Sequence, residues 1–386
     1  MLANSRFLVA CNIYISAGRN PRHQDMLLCL LGETQEECRL VNSRENSHRN
    51  NMSSRWPATL DRRVTLVHAF RDGPYDRSSF HLAGSPDLVA EVGSSLAVRA
   101  VRAMLGSQTR DFHMIEQGKS KSVGKCHPNV GFVDHVSVLP LCENRESNCE
   151  GESKSNHNKD NNGDYGKVED IASIAGSVAK IIGKQLSSSG ADVLYYGHAH
   201  PMGKELAAVR RDSTLFFKNN NKHNKTVFPE KGGDQEKRAN SSSHDPAVNI
   251  AGQATVGAPR RFVENYNIRL EPGISRRMAR TLTDAVRERG GRGLPFVEAL
   301  TLAYGHDQYE VACNLLDPSV TSVRDVEKRM KDWERQQQSA PGGLVDTAYR
   351  VGTTADMCLT AMIDVSTEEG EIAHNKQVQE YFSEAI

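Results

Sequence analysis

The sequence lacks an excess of charge of either sign. Its 386 residues contain 48 Lys and Arg and 48 Asp and Glu, so the formal net charge is zero. A protein that binds nucleic acid or a membrane surface mainly through charge needs a basic excess, and the balance argues against both. No apolar run approaches the ~20 residues that a membrane-spanning helix requires. We therefore expect neither nucleic acid nor a membrane as a partner.

Cysteine pairs and targeting patterns are also scarce. The eight cysteines include no C-x-x-C pair, which favours reduced thiols over a disulfide framework. The apolar run FLVACNIYI is short, and no small-residue cleavage pattern follows it, so it favours a first strand over a signal peptide. Without a secretory signal, the sequons at Asn51, Asn224 and Asn240 are interpreted as chance matches. We therefore expect a cytoplasmic protein.

The first half of the chain alternates between strand and helix patterns. Apolar and β-branched alternation predicts strands, and apolar residues at helical spacing predict helices. The resulting order is β-α-β-β-α-β-α-β, which is typical of a split βαβ or ferredoxin-like arrangement. The predicted strands cover residues 7–15, 64–70, 77–84, 130–139 and 191–197, and the predicted helices cover residues 22–44, 85–105 and 168–187.

The second half repeats a β-α-β-β-α order. The predicted elements are strands at 261–270, 296–304 and 309–317, helices at 274–289 and 322–338, and a last apolar segment, MCLTAMIDVS. Two Asn-, Lys- and Ser-rich segments, at 142–167 and 218–244, predict surface loops.

The sequence thus predicts an α+β protein of two ferredoxin-like α/β subdomains with a ligand groove between them. We place the first subdomain at residues 1–217 and a flexible linker or insertion at 218–245. The second subdomain then covers residues 246–386.

The stretch GKCHPNVGFVDHVSVLPL carries the first candidate for chemistry. His127 lies before Pro128, which fixes its own φ and biases His127 towards an extended backbone at the mouth of a strand. A histidine titrates near neutrality and can take and return a proton, so His127 is a candidate acid/base. The alternative is a loop histidine bonded to a backbone carbonyl. Cys126 is interpreted as a structural thiol, because no nearby pattern marks an activating base.

A pair of histidines near the end of the first half is compatible with ligand binding. His198 and His200 in YYGHAHP are two residues apart, a spacing that suits a metal pair. No local carboxylate–histidine pattern supports a metal, so we favour histidines that line a loop and predict no metal site. A metal protein that uses these two residues with His127 is the weakest of our hypotheses.

Arginines close to turns are candidates for binding anionic groups. The turn RDGPYDRSS places Asp76 and Arg77 at the end of a strand, where functional residues are common. Arg260 and Arg261 follow a Gly- and Ala-rich segment, and their guanidinium groups are suited to bidentate contact with carboxylates. The alternatives are an ordinary Gly-Pro turn with a surface pair and a linker with solvated arginines.

An ordered set of motifs between Ala10 and Pro318 resembles glutamate formiminotransferase, the N-terminal half of formiminotransferase-cyclodeaminase, and above all its shorter plant relatives. The motifs are ACNIYISAGRN, TLVHAFRDGPYDRSSF, HPNVGFVD, LYYGHAHP, GAPRRFVENYNIRL and VACNLLDP. The resemblance implies two α/β subdomains around a folate-binding groove, and a homodimer. It also implies that the separate cyclodeaminase domain is absent.

The resemblance assigns roles to individual residues. The family's HPR-x-G-x-x-D motif matches His127, Pro128, Gly131 and Asp134, so the role of catalytic acid/base is carried to His127. Asn129 stands where the family has arginine. Asp76 and Arg77 replace the family's Asn-Arg pair. The family's folate-contact segment corresponds to Asp245, Pro246, Ala247, Val248, Asn249 and Gly252.

The activity that the resemblance implies is the transfer of a formimino, or formyl, group between N-formiminoglutamate and tetrahydrofolate. Both substrates carry anionic glutamate moieties, for which we predict Arg77, Arg260 and Arg261 as partners. The stretch GKSKSVGKC before His127 replaces the family's short His-x-Gly approach. This difference and Asn129 keep a second hypothesis open, a folate-binding protein of the same fold without this transfer activity.

Overall fold

The computed structural model has eight helices and ten strands in the residues that it describes. The strands form two sheets, so the predicted α+β class is confirmed. None of the described helices combines the length and the apolarity needed to cross a bilayer. The described residues are 7–49, 62–115, 130–141, 166–213, 251–289, 292–337 and 343–384.

The first sheet has six strands in the order β2-β3-β1-β4-β6-β5. The first four strands pair antiparallel, and β6 lies between β4 and β5 and pairs parallel with both. The strands are β1 (Leu8–Ile15), β2 (Val64–Asp72), β3 (Arg77–Gly84), β4 (Val133–Leu141), β5 (Asp192–Gly197) and β6 (Gln253–Ala258). The helices of this part are α1 (Pro21–Arg49), α2 (Pro86–Ile115), α3 (Gly166–Ser188) and α4 (Leu206–Asp212).

One face of this sheet forms the main core with α1, α2 and α3. Alternate strand residues such as Ile13, Phe80 and Val136 are fully buried there against helix residues such as Leu96 and Ile182. This is the expected result of the period-2 alternation along the strands. The strands and helices predicted in the first half of the sequence are therefore confirmed, with shifts of several residues at some ends.

The second sheet has four antiparallel strands in the order β10-β7-β9-β8. They are β7 (Glu264–Leu270), β8 (Val297–Tyr304), β9 (Gln308–Leu315) and β10 (Val345–Val351), with α5 (Arg276–Val286) and α6 (Val323–Gln336) on one face. Buried residues of the helices and strands, among them Ile268, Leu282 and Trp333, form its core. Ser275 caps α5 by accepting from the Met278 amide, and α6 begins with a capping box.

The strand β6 corrects the sequence interpretation of the segment between the two halves. Residues 244–262 were interpreted as a joining segment, and the second subdomain was predicted to begin at residue 246. Instead, Gln253–Ala258 is entirely buried as a strand of the first sheet, between β4 and the edge strand β5. A strand with neighbours on both sides and both faces covered needs no alternation, and small residues suit it. At Gly257, an added Cβ would collide with the backbone and ring of Tyr196.

The end of the chain also returns to the first sheet. The apolar segment MCLTAMIDVS lies mostly in α7 (Ala355–Asp364), and a further helix, α8 (Glu368–Ser383), packs on β2. Phe382 lies 5.7 Å from Phe80, ring centroid to ring centroid, and His374 Nε2 is 3.0 Å from the Leu66 carbonyl oxygen. The sequence did not predict α8 because its apolar residues are few and its partners lie about 300 positions earlier.

A buried acidic network joins the two sheets. Glu310 of β9 is fully buried and accepts from the hydroxyls of Tyr75 (2.8 Å) and Tyr349 (2.6 Å) and from Asn267 Nδ2 (2.6 Å). Tyr75 belongs to the turn between β2 and β3, so this carboxylate joins the first sheet to the second.

A second buried carboxylate, Asp72, lies at the same turn. Its Oδ1 accepts from the Tyr75 amide at 2.9 Å. Burial, with a smaller contribution from the Glu310 charge, raises the pKa of Asp72 to about 7.

We expect Asp72→Asn to reduce the pH dependence of stability. Folded Asp72 holds its proton more tightly than the unfolded chain does. Its contribution is therefore present at acid pH and is lost as the pH rises from about 4 towards 7. Asparagine keeps an oxygen for the Tyr75 amide, so the loss of stability over this range should shrink by roughly 1–4 kcal/mol. Urea unfolding between pH 4 and 8 measures the effect.

The control for this test is Asp307→Asn in the exposed turn between β8 and β9. This variant should keep the pH profile of the unaltered protein. Parallel profiles for the unaltered protein and Asp72→Asn would contradict the assignment of this titration to Asp72.

Candidate functional site

The face of the first sheet opposite α1, α2 and α3 is polar and aromatic. Two rows of side chains run across it, since Tyr14 pairs with Ser79 and His135, and Asn12 pairs with His81 and Ser137. All but His135, which is half-buried, are buried. We call this the polar face. It comprises Asn12, Tyr14, Ser79, His81, His135, Ser137, Tyr196 and Thr255, with Arg77 and Asp134 at one end.

A cationic cluster lies at one end of the polar face. Arg77, the first residue of β3, is 3.0 Å from Asp134 Oδ1, and its Cζ lies 4.2 Å above the ring centre of Tyr14. The side chains of Arg77 and Asp134 are only 15% and 1% exposed. Burial raises the pKa of Tyr14, while the Arg77 charge opposes the shift. Tyr14 is therefore a neutral platform for the guanidinium group at neutral pH.

Asp134 reaches this cluster because β4 is irregular at its start. Tyr14 pairs with His135 and Ile15 pairs with Val133, so Asp134 is an extra residue in β4. Such a bulge changes the direction of a side chain that regular alternation would place on the other face. The Thr255 hydroxyl of β6 also donates to the Asp134 carbonyl oxygen at 3.1 Å. The resemblance had singled out Asp134, but the alternation of the sequence does not predict where it points.

Three histidines that the sequence analysis did not single out belong to this region. His81 is fully buried, with Nε2 2.8 Å from Ser79 Oγ and Nδ1 3.4 Å from Thr353 Oγ1. Burial, followed by the neighbouring His68, lowers the pKa of His81 well below its ordinary value. Burial also lowers the pKa of His68 to about 4. Both rings are therefore neutral at physiological pH. His81 acts as a hydrogen-bonding group, and His68 packs against the ring of Tyr381 at 4.6 Å between centroids.

The third of these histidines, His135, belongs to a chain of ring contacts. It stacks on Tyr14 at 5.5 Å between ring centroids, and its Nε2 is 3.1 Å from the Tyr196 hydroxyl. That hydroxyl donates in turn to Ser137 Oγ at 2.9 Å. The signal in the sequence was the alternation of His135 and Ser137 with the apolar residues Val136 and Val138.

Asp76 and Arg77, predicted together from the hairpin turn, have different environments. Asp76 has a left-handed backbone, with φ of 53°. Its Oδ1 accepts from the amides of Gly18 (3.0 Å) and Arg19 (2.9 Å), so the carboxylate holds the loop after β1 against the turn. Arg77 instead lies on the polar face. The predicted role of both residues in substrate binding stays a prediction.

Arg260 and Arg261 lie between β6 and β7 and are exposed. Arg261 Nε is 3.0 Å from Asp317 Oδ2, an ion pair at the junction of the two sheets. Neither residue contributes to the cluster around Arg77 and Asp134. Their predicted contact with carboxylates also stays a prediction.

The histidines of YYGHAHP form part of a tight turn after β5. His200 Nδ1 accepts from the amides of Met202 (3.0 Å) and Lys204 (3.4 Å), and the His198 amide donates to the Ala258 carbonyl oxygen at 2.8 Å. In the part of the chain that the structure describes, no three His, Cys, Asp or Glu side chains are grouped as metal ligands.

Two of the predicted site segments lie outside the described residues. They are the stretch that carries Cys126, His127, Pro128 and Asn129, and the segment Asp245, Pro246, Ala247, Val248 and Asn249. The described chain resumes close to each of them, at Val130 and at Ala251.

Gly252 joins the backbone near Val130 to the backbone near Ala251. It forms a β-bridge with Gly131, and its φ is +76°. The Gln253 amide donates to the Val130 carbonyl oxygen at 2.8 Å, and the Phe132 amide donates to that of Ala251 at 2.9 Å. A Cβ added at Gly252 would lie 2.6 Å from both Gly131 Cα and Val130 O. This close approach explains a glycine here without a ligand, and the predicted folate contact of Gly252 stays a prediction.

We expect Gly252→Ala to destabilise the protein more than Gly273→Ala does. Both glycines have positive φ, but an added Cβ at Gly273 meets nothing within 4 Å. Gly273→Ala should therefore cost only the left-handed backbone penalty of about 1–2 kcal/mol. Gly252→Ala should cost a further ~1–3 kcal/mol because backbone atoms must move. Urea unfolding compares the two variants, and equal losses would contradict a tight contact between Gly131 and Gly252.

Comparison with known proteins agrees with the resemblance. A sequence model of the formiminotransferase domain, N-terminal subdomain, matches residues 52–258, which is more than half of the chain. The match ends at Ala258, the last residue of β6 and of the first sheet. The chain is also 26% identical over 313 residues to the formiminotransferase cyclodeaminase-like protein of Arabidopsis thaliana, covering 78% of this chain and 87% of that protein.

The matched residues include Arg77, Asp134 and the rest of the polar face from β3, β4, β5 and β6. The fold, the motif order and the extent of the match therefore lead to one conclusion. This chain belongs to the formiminotransferase domain family.

Proposed function

We propose that the protein is a folate-dependent one-carbon transferase. It moves a formimino, or formyl, group between N-formiminoglutamate and tetrahydrofolate. The observation that carries the proposal is the position of Asp134, the last residue of HPNVGFVD. Its carboxylate is buried on the polar face against Arg77, beside the aromatic ring of Tyr14. An aromatic and cationic surface suits a ligand that combines a planar ring system with carboxylates.

In the proposed reaction His127 acts as the acid/base. The N5 amine of tetrahydrofolate attacks the formimino carbon, and His127 accepts the N5 proton as the new C–N bond forms. The bond between that carbon and the glutamate nitrogen then breaks, and His127 returns the proton to the departing amine. A group with a pKa near ~6.5 can perform both transfers at neutral pH. The products are formimino-tetrahydrofolate and glutamate, with no net gain or loss of protons.

The remaining parts of the proposal concern binding. Arg77, Arg260 and Arg261 are the proposed partners of the glutamate carboxylates, and Asp245–Asn249 with Gly252 are the proposed folate contacts. Holding two substrates in one groove supplies acceleration beyond that of the acid/base, because it replaces a bimolecular encounter. From the resemblance we also propose a homodimer. The cytoplasmic location expected from the sequence stays a prediction.

One observation favours a second candidate function. Asn129 stands where the family has an arginine, so a positive charge is missing two residues from His127. Such a charge would stabilise negative charge that develops near the acid/base. A protein that binds reduced folate without catalysing transfer is consistent with this loss.

We expect His127→Ala to lower the rate of formimino transfer by about 10²–10⁴-fold, because the acid/base is lost. The affinity for reduced folate should change little. The assay supplies tetrahydrofolate and N-formiminoglutamate to the purified full chain and follows formimino-tetrahydrofolate. The matched control is Cys126→Ala, which should keep the rate of the unaltered protein.

Two outcomes would contradict parts of this proposal. An unchanged rate in His127→Ala would remove the role of His127. No transfer by the folded, unaltered protein, together with tight binding of reduced folate, would favour the second candidate function.

A further inference from the structure

We propose that Arg210 of α4 acts with Arg77 to hold one carboxylate group of a ligand against the polar face. The proposal deepens the proposed function and depends on it for the identity of the ligand, but not for the existence of the anion site.

Arg77 provides the rigid half of this site. Asp134 holds its guanidinium group at 3.0 Å, and the ring of Tyr14 lies against it at 4.2 Å from Cζ to the ring centre. A guanidinium group that is held in one plane loses little further freedom when a carboxylate binds along its edge. Arg77 is thus organised before the ligand arrives.

Arg210 is linked to the same residue, Asp134, through Thr255. Its Nη2 is 3.4 Å from Thr255 Oγ1, and this hydroxyl donates to the Asp134 carbonyl oxygen at 3.1 Å. Thr255 therefore contacts both Arg210 and the residue that holds Arg77. The position of α4 is set by the hydrogen bond from the Gly197 amide to the Lys204 carbonyl oxygen (2.7 Å) and by the buried Val209.

The charges of the two arginines act on each other. Burial, followed by the positive charge of Arg77, lowers the pKa of Arg210 to about 10, while the charge of Asp134 opposes the shift. Arg210 is still protonated at neutral pH, so its positive charge and that of Arg77 repel each other where solvation is poor. An anion between them would relieve this repulsion, and both guanidinium groups have the fork geometry that a carboxylate matches.

The surroundings favour a carboxylate over a phosphate dianion. The Asp134 carboxylate is paired with Arg77, and its charge also acts on Arg210. A second carboxylate, Glu298 of β8, is also close. Burial raises the pKa of Glu298, and the charges of Arg210 and Arg211 oppose that rise. These two carboxylates would repel a second negative charge on the ligand. Glu298 belongs to β8, so the charge of Arg210 also acts on a residue of the second sheet.

The carboxylate has two possible sources, the glutamate tail of the folate or the glutamate of the amino-acid substrate. The test uses three probes on the full chain. They are 5-formyltetrahydrofolate, L-glutamate, and glutarate, which has carboxylates but neither a pterin nor an amine. Titration calorimetry measures the affinity for each probe, and the shift in unfolding temperature measures the effect of glutarate independently.

We expect Arg210→Gln to lower the affinity for glutarate, and for at least one of the other two probes, by about 10- to 100-fold, because a charge-assisted hydrogen bond is lost. Arg210→Lys should restore part of the affinity, since it keeps the charge but not the fork. The matched control is Arg211→Gln, at the next position of α4, where the side chain is exposed. Its affinities should stay within about 2-fold of those of the unaltered protein.

The outcomes separate this proposal from the proposed function. Loss of glutarate binding in Arg210→Gln, with no binding of 5-formyltetrahydrofolate by the unaltered protein, would keep the anion site and reject folate as its ligand. A lower affinity of Arg210→Gln for 5-formyltetrahydrofolate would identify the folate tail as the source of the carboxylate, and a lower affinity for L-glutamate would identify the amino-acid substrate. Equal affinities in Arg210→Gln and the unaltered protein would overturn the proposal, as would no binding of any of the three probes.

Discussion

The structure depends on one constraint, that both faces of the first sheet are buried and that one of them carries many polar side chains. The other face packs against α1, α2, α3 and α8 and needs no specific partners. Buried hydroxyl, imidazole and guanidinium groups on the polar face need hydrogen-bond partners, because water is largely excluded. The contacts of Ser79 with His81, of Tyr196 with Ser137 and of Arg77 with Asp134 follow from this requirement. Such a network gives each side chain a defined position, as a binding surface needs.

The second sheet meets the same constraint with a carboxylate. Glu310 is buried where the two sheets meet, and three neutral donors and the nearby Arg269 surround it. Burial raises the pKa of Glu310, and its hydrogen bonds counteract that shift. Since Tyr75 comes from the first sheet and Tyr349 from the second, the two sheets share one buried acid. Their relative position therefore depends on hydrogen bonds as well as on apolar packing.

Local patterns were sufficient to predict most of the elements but not the contacts between them. Alternation predicted β1, β2, β3, β4 and β5, and helical spacing predicted α1, α2 and α3, because each pattern lies within one element. The strand β6 was missed because a buried parallel strand of small residues has no alternation. The helix α8 was missed because its packing on β2 joins distant parts of the chain. The resemblance named Arg77 and Asp134 separately, whereas their ion pair depends on a bulge that no local pattern predicts.

The position of β6 explains why α4 belongs to the same surface as β3 and β4. Because β6 lies between β4 and β5, Thr255 stands beside His135 on one side and Leu194 on the other. Its hydroxyl can therefore bond to the backbone of Asp134 while also contacting Arg210 from the helix that follows β5. A sheet in which β5 paired directly with β4 would leave no residue in this intermediate position. The strand β6, which the alternation of the sequence did not reveal, thus links Arg210 to Asp134, the residue that holds Arg77.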